Sequence, residues 1–394
     1  MKTRKLIKYI KQPFEVRLLR YLVFSLIVTP VIMVLSWFAT PDFPMDIFVL
    51  NKSVPDSDSQ NQLSLFWVLN NEKITKSDGN KYSRGCDYYG FYPLAADNYL
   101  IKDISNYSKS AVDSLAETID AVYFADTYGV YYNDFFAQPQ TPNRLLYGGL
   151  YERDLDLLEA MKVREKLIIA EFNILGESTP PNARRRFLKE FGLLWTGWSG
   201  RYFDSLDSTK GAGVPAWIFD LHRKQTGKSW PYIQSGLVLV SSNDDIIILE
   251  SGSLLERKVP VIQTRPFYQE KFHVPAEVNY ISWFDMVFSP TRENTVVSTF
   301  HLPVTEAGDS VLAAQGLSPV FPAVLADEGP DYRFYYFAGD FSRNEITPVS
   351  AYFKWIHWFQ SFLYNSRNVL DTRSFFWQYY RPLTASILKQ DAVD

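Results

Sequence analysis

The sequence predicts an α/β fold in which a mostly parallel sheet is flanked by helices and follows one N-terminal transmembrane helix. Strand-like and helix-like segments alternate from residue 45 to residue 195. Such alternation is typical of parallel strands joined by crossover helices. A β-rich stretch then breaks the alternation, and the chain ends in two aromatic-rich segments at helical spacing. We therefore expect one sheet-based domain with a β-rich insertion and a helical C-terminus.

The first 39 residues predict a membrane anchor. Residues 1–20 are rich in Lys and Arg and contain one acidic residue, Glu15, while residues 21–39 form an apolar run. That run is close to the ~20 residues needed to cross a bilayer. By the positive-inside rule, the basic segment stays in the cytoplasm and the bulk of the chain is exported. Because SWFATPDF lacks a small-residue cleavage pattern, we favour a retained single-pass anchor in a bacterial inner (cytoplasmic) membrane over a cleaved signal peptide.

Four strands, each joined to a helix, are expected between residues 45 and 195. Short runs rich in β-branched and aromatic residues predict the strands, and apolar residues at a spacing of three and four predict the helices. The strand segments are MDIFVLNKSVP, DYYGFYPL, DAVYFADTYGVYY and KLIIAEF. The helical segments are QNQLSLFWVLNNEKI, ISNYSKSAVDSLAETI, ERDLDLLEAMKVRE and TPPNARRRFLKEFG.

Beyond residue 195 the pattern changes to strands alone. Two apolar runs flank SSNDD in SGLVLVSSNDDIIILESG, which predicts a β-hairpin. Further strands are expected at VPVIQTR, NTVVSTFHLPV and YRFYYFAGDF, and helices at AYFKWIHWFQSFLYN and RSFFWQYYRPLTASIL. Polar residues interrupt the first of these helices, so we do not interpret it as a second membrane span. The extracytoplasmic α/β domain is thus expected at residues 45–350 and the aromatic-rich helices at 351–394.

The order of elements ending in KLIIAEFNILG resembles the class I glutamine-amidotransferase-like, flavodoxin-like fold over about residues 45 to 265. Active members of that family carry a Gly-x-Cys-x-Gly turn after the corresponding strand, together with a downstream histidine. Here the turn holds Glu171, Phe172 and Asn173, and the single cysteine, Cys86, lies in an earlier segment. The resemblance therefore implies an amidotransferase-like domain that lacks the nucleophile and has no glutaminase activity.

Three acidic residues fall at the expected C-terminal ends of strands: Asp126, Glu171 and Asp340. Ligand sites in open α/β sheets gather at those ends. Two carboxylates about 5 to 9 Å apart could cleave a glycosidic bond, one as acid and the other as nucleophile or base. Acidic residues after a strand also cap helices or bond to loop amides. For Glu171 we favour this turn-organising role over a catalytic one.

The segment WTGWSGRYF supplies a candidate ligand wall of Trp195, Trp198, Arg201 and Tyr202. Aromatic rings can stack on sugars, and the chain is rich in them, with 16% Phe, Trp and Tyr. Large cores use the same residues, and for the aromatic residues as a whole we favour core packing over a sugar-binding surface.

Several classes of protein are disfavoured by the composition. The net charge of −4 and the absence of a basic block beyond the N-terminus argue against a nucleic-acid binder. A single cysteine excludes an intrachain disulfide, and the four histidines are far apart in sequence, so we expect no metal site and no cofactor.

Two hypotheses of function follow. In the first, the chain is a membrane-anchored extracytoplasmic protein whose non-catalytic domain binds a glycan or an envelope protein during the assembly of the cell envelope or of a surface polysaccharide. In the second, it is a carbohydrate-active glycoside hydrolase that uses paired carboxylates, Glu171 with Asp126 or Asp340. Whether the protein is an enzyme stays open at this point.

Overall fold

The structure of the chain, a computed structural model, describes seven stretches of the sequence. Most of the basic N-terminal segment, residues 1–13, lies outside them. The described stretches are residues 14–56, 62–94, 97–136, 140–209, 213–290, 294–329 and 332–390.

Fourteen strands build the two larger sheets of the described chain. The strands at the centre are almost entirely buried runs such as IFVLN and LIIAE, as expected for strands that are covered on both faces. In chain order the strands are β1 (Ile47–Asn51), β2 (Tyr89–Pro93), β3 (Tyr99–Lys102), β4 (Ala121–Asp126), β5 (Leu167–Glu171), β6 (Leu194–Phe203), β7 (Gly236–Ser241), β8 (Ile246–Glu250), β9 (Val261–Thr264), β10 (Glu277–Asn279), β11 (Phe284–Phe288), β12 (Thr295–His301), β13 (Val320–Glu328) and β14 (Arg333–Phe337).

Helices surround these sheets. Amphipathic helices such as α3 and α6 bury one face, through Val112 and Ala116 in the first case and through Ala183 and Phe187 in the second. The α-helices are α1 (Phe14–Ala39), α2 (Leu63–Asn71), α3 (Lys109–Thr118), α4 (Tyr132–Phe135), α5 (Glu152–Val163), α6 (Pro181–Glu190), α7 (Ala216–Thr226), α8 (Pro266–Phe272), α9 (Glu306–Ala313), α10 (Thr372–Phe375) and α11 (Arg381–Leu388).

The main sheet has ten strands in the order β10-β9-β12-β13-β14-β5-β4-β1-β2-β3. Within the described residues, four neighbouring pairs at its centre are parallel: β14 with β5, β5 with β4, β4 with β1, and β1 with β2. The other five pairs are antiparallel. The sheet is therefore mixed, with antiparallel pairs in the majority.

The predicted mostly parallel, flavodoxin-like sheet is wrong. The β-rich part of the chain is not an insertion beside a parallel sheet, because β9, β10, β12, β13 and β14 extend the same sheet beyond β5. An apolar run predicts that a strand exists, but its neighbours are set by contacts between residues far apart in sequence. The prediction of a β-hairpin is confirmed by the antiparallel pairing of β7 with β8.

A second, antiparallel sheet has the order β8-β7-β6-β11. Its strand β11 lies against the loop that follows β14, because the Asp285 backbone N–H donates to the Ala338 carbonyl and the Asp340 N–H donates to the Trp283 carbonyl. These two hydrogen bonds hold the small sheet against one edge of the main sheet. Two short pairs complete the described β-structure, Phe43–Pro44 with Ile74–Thr75 and Val130–Tyr131 with Leu145–Tyr147.

The C-terminal segment differs from two simple helices. Its first part forms two 3₁₀ segments, Pro348–Tyr352 and Ile356–Phe362. Its second part is a continuous helical run in which α10 and α11 are joined by a π-helical turn, Phe376–Tyr380. The aromatic rings of that turn are buried, so these aromatics belong to the core.

One helix among the described residues is long and apolar enough to cross a membrane. It is α1, of which Leu18–Ala39 is the apolar part and only 11% of the apolar window is buried in the fold. A signal sequence has the same length and composition, so this feature agrees with an anchor and with a signal.

Candidate functional site

The three predicted carboxylates lie at one edge of the main sheet. Asp126 and Glu171 are the last residues of β4 and β5, and Asp340 follows the end of β14 by three residues. These strands are adjacent and parallel, so their C-terminal ends meet at the same edge. We call this group, together with Asp285, the carboxylate cluster.

Glu171 is the innermost member and has 0% of its surface exposed. The Tyr123 hydroxyl donates to its Oε1, while the Ser342 N–H and hydroxyl donate to Oε2 at 3.2 and 2.9 Å. The Tyr380 and Tyr123 hydroxyls lie 2.8 Å apart. Burial raises the pKa of Glu171 well above its usual value, and the nearby Asp340 charge adds to this rise, whereas the hydrogen bonds oppose it. Glu171 therefore joins β4, β5 and the C-terminal helical run.

Asp126 lies closer to the surface, with 8% of its area exposed. Its Oδ1 accepts a hydrogen bond of 2.7 Å from the Tyr128 N–H. Burial, and then the charge of Asp340, raise the pKa of Asp126 to about 7, while Ser53 and Asn173 side chains act in the opposite direction. A carboxyl group with this pKa can hold or release a proton near neutral pH.

Asp340 has the fewest partners of the cluster. Its side chain is 10% exposed, and the closest cation is the Arg343 guanidinium, with Nη1 3.9 Å from Oδ2. Burial raises the pKa of Asp340, while the positive charges of Arg343 and Arg201 lower it. Within the described chain, no hydrogen-bond donor is bound to its carboxylate oxygens.

The sequence analysis missed Asp285, the fourth carboxylate. It is buried in the middle of β11, opposite Ser199 of β6, whose hydroxyl donates to Oδ1 at 2.6 Å. Burial raises its pKa to about 6, against the effect of hydrogen bonds that include one from the Asn173 backbone. Asn173 thus contacts both Asp126 and Asp285, and it has a left-handed backbone with φ of 68°. The sequence feature that could have identified Asp285 is a single acidic residue inside the otherwise apolar strand FDMVF.

Arg201 supplies positive charge beside the cluster. Its guanidinium lies 5.0 Å from the centre of the Phe203 ring and interacts with the charge of Asp340. Among the residues that the structure covers, its buried Nε has no hydrogen-bond partner. Burial, followed by the positive charge of Arg343, lowers the pKa of Arg201. A half-buried donor without a partner calls for water or a ligand to complete its hydrogen bonding.

The predicted ligand wall does not form one surface. Trp198 and Tyr202 lie on the face of β6 that packs into the main core, whereas Arg201 points to the opposite face. Trp198 borders a cavity of about 340 Å³ together with residues 246–248, and Trp195 lies under the Arg184 guanidinium, 4.6 Å from its ring centre. Of the four, Arg201 alone adjoins the carboxylate cluster, and the ligand-binding role of the others stays a prediction.

No metal centre is evident in the described residues, because no group of three or more His, Cys, Asp or Glu side chains there could hold an ion. A surface cavity of about 630 Å³ lies between residues 150–153 and 180–183, and none of the four cluster carboxylates lines it. Asp126 and Asp340, beside two arginines, offer hydrogen bonding and proton exchange.

Comparison with known proteins identifies no family. No protein-family model and no curated protein matches the sequence. Among solved structures, a ThuA-like protein from Bacteroides uniformis is similar at 12% identity with a TM-score of 0.35, over 86% of this chain and 93% of that one. A carbohydrate deacetylase, Agd3, is similar at 10% identity with a TM-score of 0.26, over 76% of this chain and 30% of that one.

Both TM-scores lie under 0.5, so neither likeness carries an argument about function. This chain also spans less than a third of the deacetylase.

The raised pKa of Asp126 leads to a pH-dependent prediction. A carboxyl group with a pKa of about 7 when folded and 3.8 ordinarily favours folding while it is protonated, and that contribution is lost as pH rises through this window. Asp126→Asn should therefore stabilise the protein relative to the wild type, and the gain should grow by about 2 to 3 kcal/mol between pH 5 and pH 8. Chemical unfolding of the full chain in detergent measures this difference, with Asp113→Asn, whose side chain is 46% exposed, as the control. A gain that does not grow with pH would contradict it.

Proposed function

We propose that this chain is a membrane-anchored extracytoplasmic protein whose domain binds a glycan at the carboxylate cluster without cleaving it. The observation that carries the proposal is the pairing of two unfilled groups, the Asp340 carboxylate and the Arg201 Nε. The Arg201 Nε is buried without a hydrogen-bond partner among the described residues, and the Asp340 side chain is only 10% exposed, with Arg343 Nη1 3.9 Å away. Sugar hydroxyls can accept from arginine and donate to carboxylates, so a hydroxyl-rich ligand fits both groups.

The packing of α1 supports a retained anchor over a cleaved signal. Trp37, near the end of the helix, is 1% exposed and donates its indole N–H to the Asn70 carbonyl at 3.0 Å. The ammonium groups of Lys73 and Lys81 each lie 4.3 Å from the centre of its ring. Removal of α1 would strip the domain of these contacts and expose buried apolar surface.

The direction of the strands supports a site that faces away from the membrane. The end of α1 contacts residues 70–73, at the C-terminal end of α2, and the Phe43 N–H donates to the Lys73 carbonyl just before β1 begins. The carboxylates lie at the opposite, C-terminal ends of the parallel strands. This edge of the sheet therefore faces away from the membrane, and its more exposed members, Asp126 and Asp340, lie on the side open to external ligands.

The test is binding by the full chain in detergent to a panel of neutral and acidic oligosaccharides from bacterial envelopes, measured by calorimetry. Asp340→Asn and Arg201→Gln should each weaken binding by roughly tenfold or more, because each removes a buried polar contact with the ligand. Asp113→Asn, at a partly exposed acid on α3, should leave the affinity unchanged. Absence of binding across the panel would overturn the glycan ligand.

A hydrolase is the second candidate, and the raised pKa of Asp126 beside the Asp340 charge favours it. An acid with a pKa near 7 can protonate a leaving group while a second carboxylate acts as base or nucleophile. Mass spectrometry of the same oligosaccharides after incubation distinguishes the candidates. Shortened products that disappear with Asp126→Asn would replace the binding function by hydrolysis.

A further inference from the structure

An exposed group of aromatic side chains lies beside the membrane helix. Trp358 and Phe362, in the 3₁₀ segment Ile356–Phe362, are 69% and 85% exposed, and Trp355 and Phe359 are also exposed. The Trp355 and Trp358 rings stack with their centres 5.6 Å apart. We call Trp355, Trp358, Phe359 and Phe362 the aromatic shelf. Such a cluster of large apolar side chains on a surface indicates a contact with an apolar phase or a partner.

Direct contacts fix the position of the shelf relative to α1. The Lys354 backbone N–H donates to the Met33 carbonyl at 3.2 Å. The Tyr352 ring packs edge-on against Trp37, with the ring centres 4.9 Å apart. Residues 352–354 therefore run along the last two turns of α1, and the shelf begins at the next residue.

The depth of these contacts corresponds to the upper acyl region of the outer leaflet. Leu18–Ala39 has 22 residues, and at 1.5 Å per residue this gives a length of about 33 Å, slightly more than the ~30 Å hydrocarbon core. Met33 precedes Ala39 by six residues, so it lies about 9 Å below the end of the helix and, with the helix centred, roughly 7 to 8 Å below the outer boundary of the hydrocarbon. The shelf thus starts in the upper acyl region, just below the lipid headgroups.

The outer end of α1 presents exposed apolar side chains at the same depth as the start of the shelf. They are Val31, Leu35 and Phe38, which lie on the face of the helix turned away from Met33, where residues 352–354 pack. Trp is enriched at membrane interfaces because its ring is apolar and its N–H is polar. Trp355 also has a left-handed backbone, with φ of 61°, which a bulky residue rarely adopts. The turn at Trp355 separates the two 3₁₀ segments and begins the exposed group.

We infer that the aromatic shelf inserts into the outer interface of the same bilayer that α1 crosses, as a second, non-spanning membrane contact. This inference rests on the proposed retention of α1 as an anchor. Its occupant is the headgroup and upper acyl region of the lipid, because the shelf directly follows the residues that pack on the outer end of α1 and lies at the depth of its exposed apolar side chains. Two contacts with the membrane would fix the tilt of the domain and hold the carboxylate cluster away from the bilayer.

The test places a fluorescent dye on the shelf in a reconstituted protein. The lone cysteine, Cys86, is exposed and is replaced by Cys86→Ser, after which Phe362→Cys provides the labelling site in the full chain. The labelled protein is reconstituted in phosphatidylcholine vesicles with or without a lipid that carries a nitroxide near its headgroup. We expect the nitroxide lipid to reduce the fluorescence roughly twofold, because the dye lies at the interface. The matched control is Tyr128→Cys, an exposed aromatic site two residues beyond Asp126, where the nitroxide should have no effect.

Two results would overturn the inference. Quenching of the Phe362→Cys dye by aqueous iodide but not by the nitroxide lipid would place the shelf in water. Shielding from both quenchers, with energy transfer between copies that rises with protein density, would show that a second copy of the chain covers it. Cleavage of α1, which would instead contradict the retained anchor, gives a different result: the intact mass of the mature protein would then be smaller by the N-terminal segment.

Discussion

Replacement of Lys52 by alanine should lower the free energy of unfolding by about 3 to 5 kcal/mol, because it leaves a buried carboxylate without its counter-charge. Lys52 follows β1 directly and has no exposed surface. Its Nζ donates to the Gly149 carbonyl at 2.8 Å and to Asp154 Oδ2 at 2.6 Å, and it lies 3.7 Å from the centre of the Tyr151 ring. Asp154 belongs to the first turn of α5, so the ion pair connects the end of a central strand to the start of a helix.

Chemical unfolding of the full chain in detergent measures this loss. Lys224→Ala is the matched control, because its ion pair with Asp244 is largely exposed and its removal should leave the midpoint unchanged within error. The double variant Lys52→Met/Asp154→Asn should recover part of the loss, since Asn still accepts from the Tyr151 N–H and no buried charge remains. A single-variant loss of less than about 1 kcal/mol, as for a surface ion pair, would contradict a buried pair.

The individual elements of the fold could be predicted, but the sheet could not. The strands around residues 47, 121 and 167 were recognisable because each is a buried run between polar turns. The pairing of β14 with β5 joins residues more than 160 positions apart. No local pattern in YRFYYFAGDF specifies this neighbour, and that one pairing brings the antiparallel strands into the main sheet.

The candidate site was predictable in part for the same reason. Asp126 and Asp340 were identifiable because the C-terminal ends of parallel strands converge. Asp285 was not, because it reaches the cluster through the separate small sheet. The predicted ligand wall in WTGWSGRYF assumed that residues close in sequence share one surface. Successive side chains of a strand point to opposite faces, so Arg201 and Tyr202 lie on different sides of β6.

Glu171→Ala should destabilise the protein by about 3 to 5 kcal/mol, whereas Glu171→Gln should change the free energy of unfolding at pH 5 by less than about 1 kcal/mol. The alanine variant leaves a cavity and removes the acceptor for the Tyr123 and Ser342 donors in a site without water-exposed surface. Glutamine has the shape of a protonated glutamate: its carbonyl can accept from Ser342 while its amide N–H donates to the Tyr123 oxygen, whose own hydroxyl proton can go to Tyr380. The raised pKa of Glu171 means that the protonated form is the one the folded state favours.

The pH dependence of the glutamine variant provides an independent readout. A carboxyl group whose pKa is raised on folding stabilises the folded state at low pH, and this contribution is lost as the pH rises through its folded pKa. Wild-type stability should therefore decline relative to that of Glu171→Gln as the pH increases above 4.5, the ordinary pKa of glutamate. Parallel curves for the two proteins between pH 5 and pH 9 would contradict a neutral Glu171.

The same variant separates the structural role of Glu171 from a catalytic one. A side chain with no exposed surface cannot touch a ligand in this conformation, so Glu171→Gln should retain the oligosaccharide affinity that Asp340→Asn and Arg201→Gln lose. Glu171 would then affect ligand binding only indirectly. Its hydrogen bonds to Ser342 hold in place the loop that carries Asp340 and Arg343. Loss of hydrolytic products with Glu171→Gln, at unchanged stability and affinity, would instead require this loop to open and expose the carboxyl group during turnover.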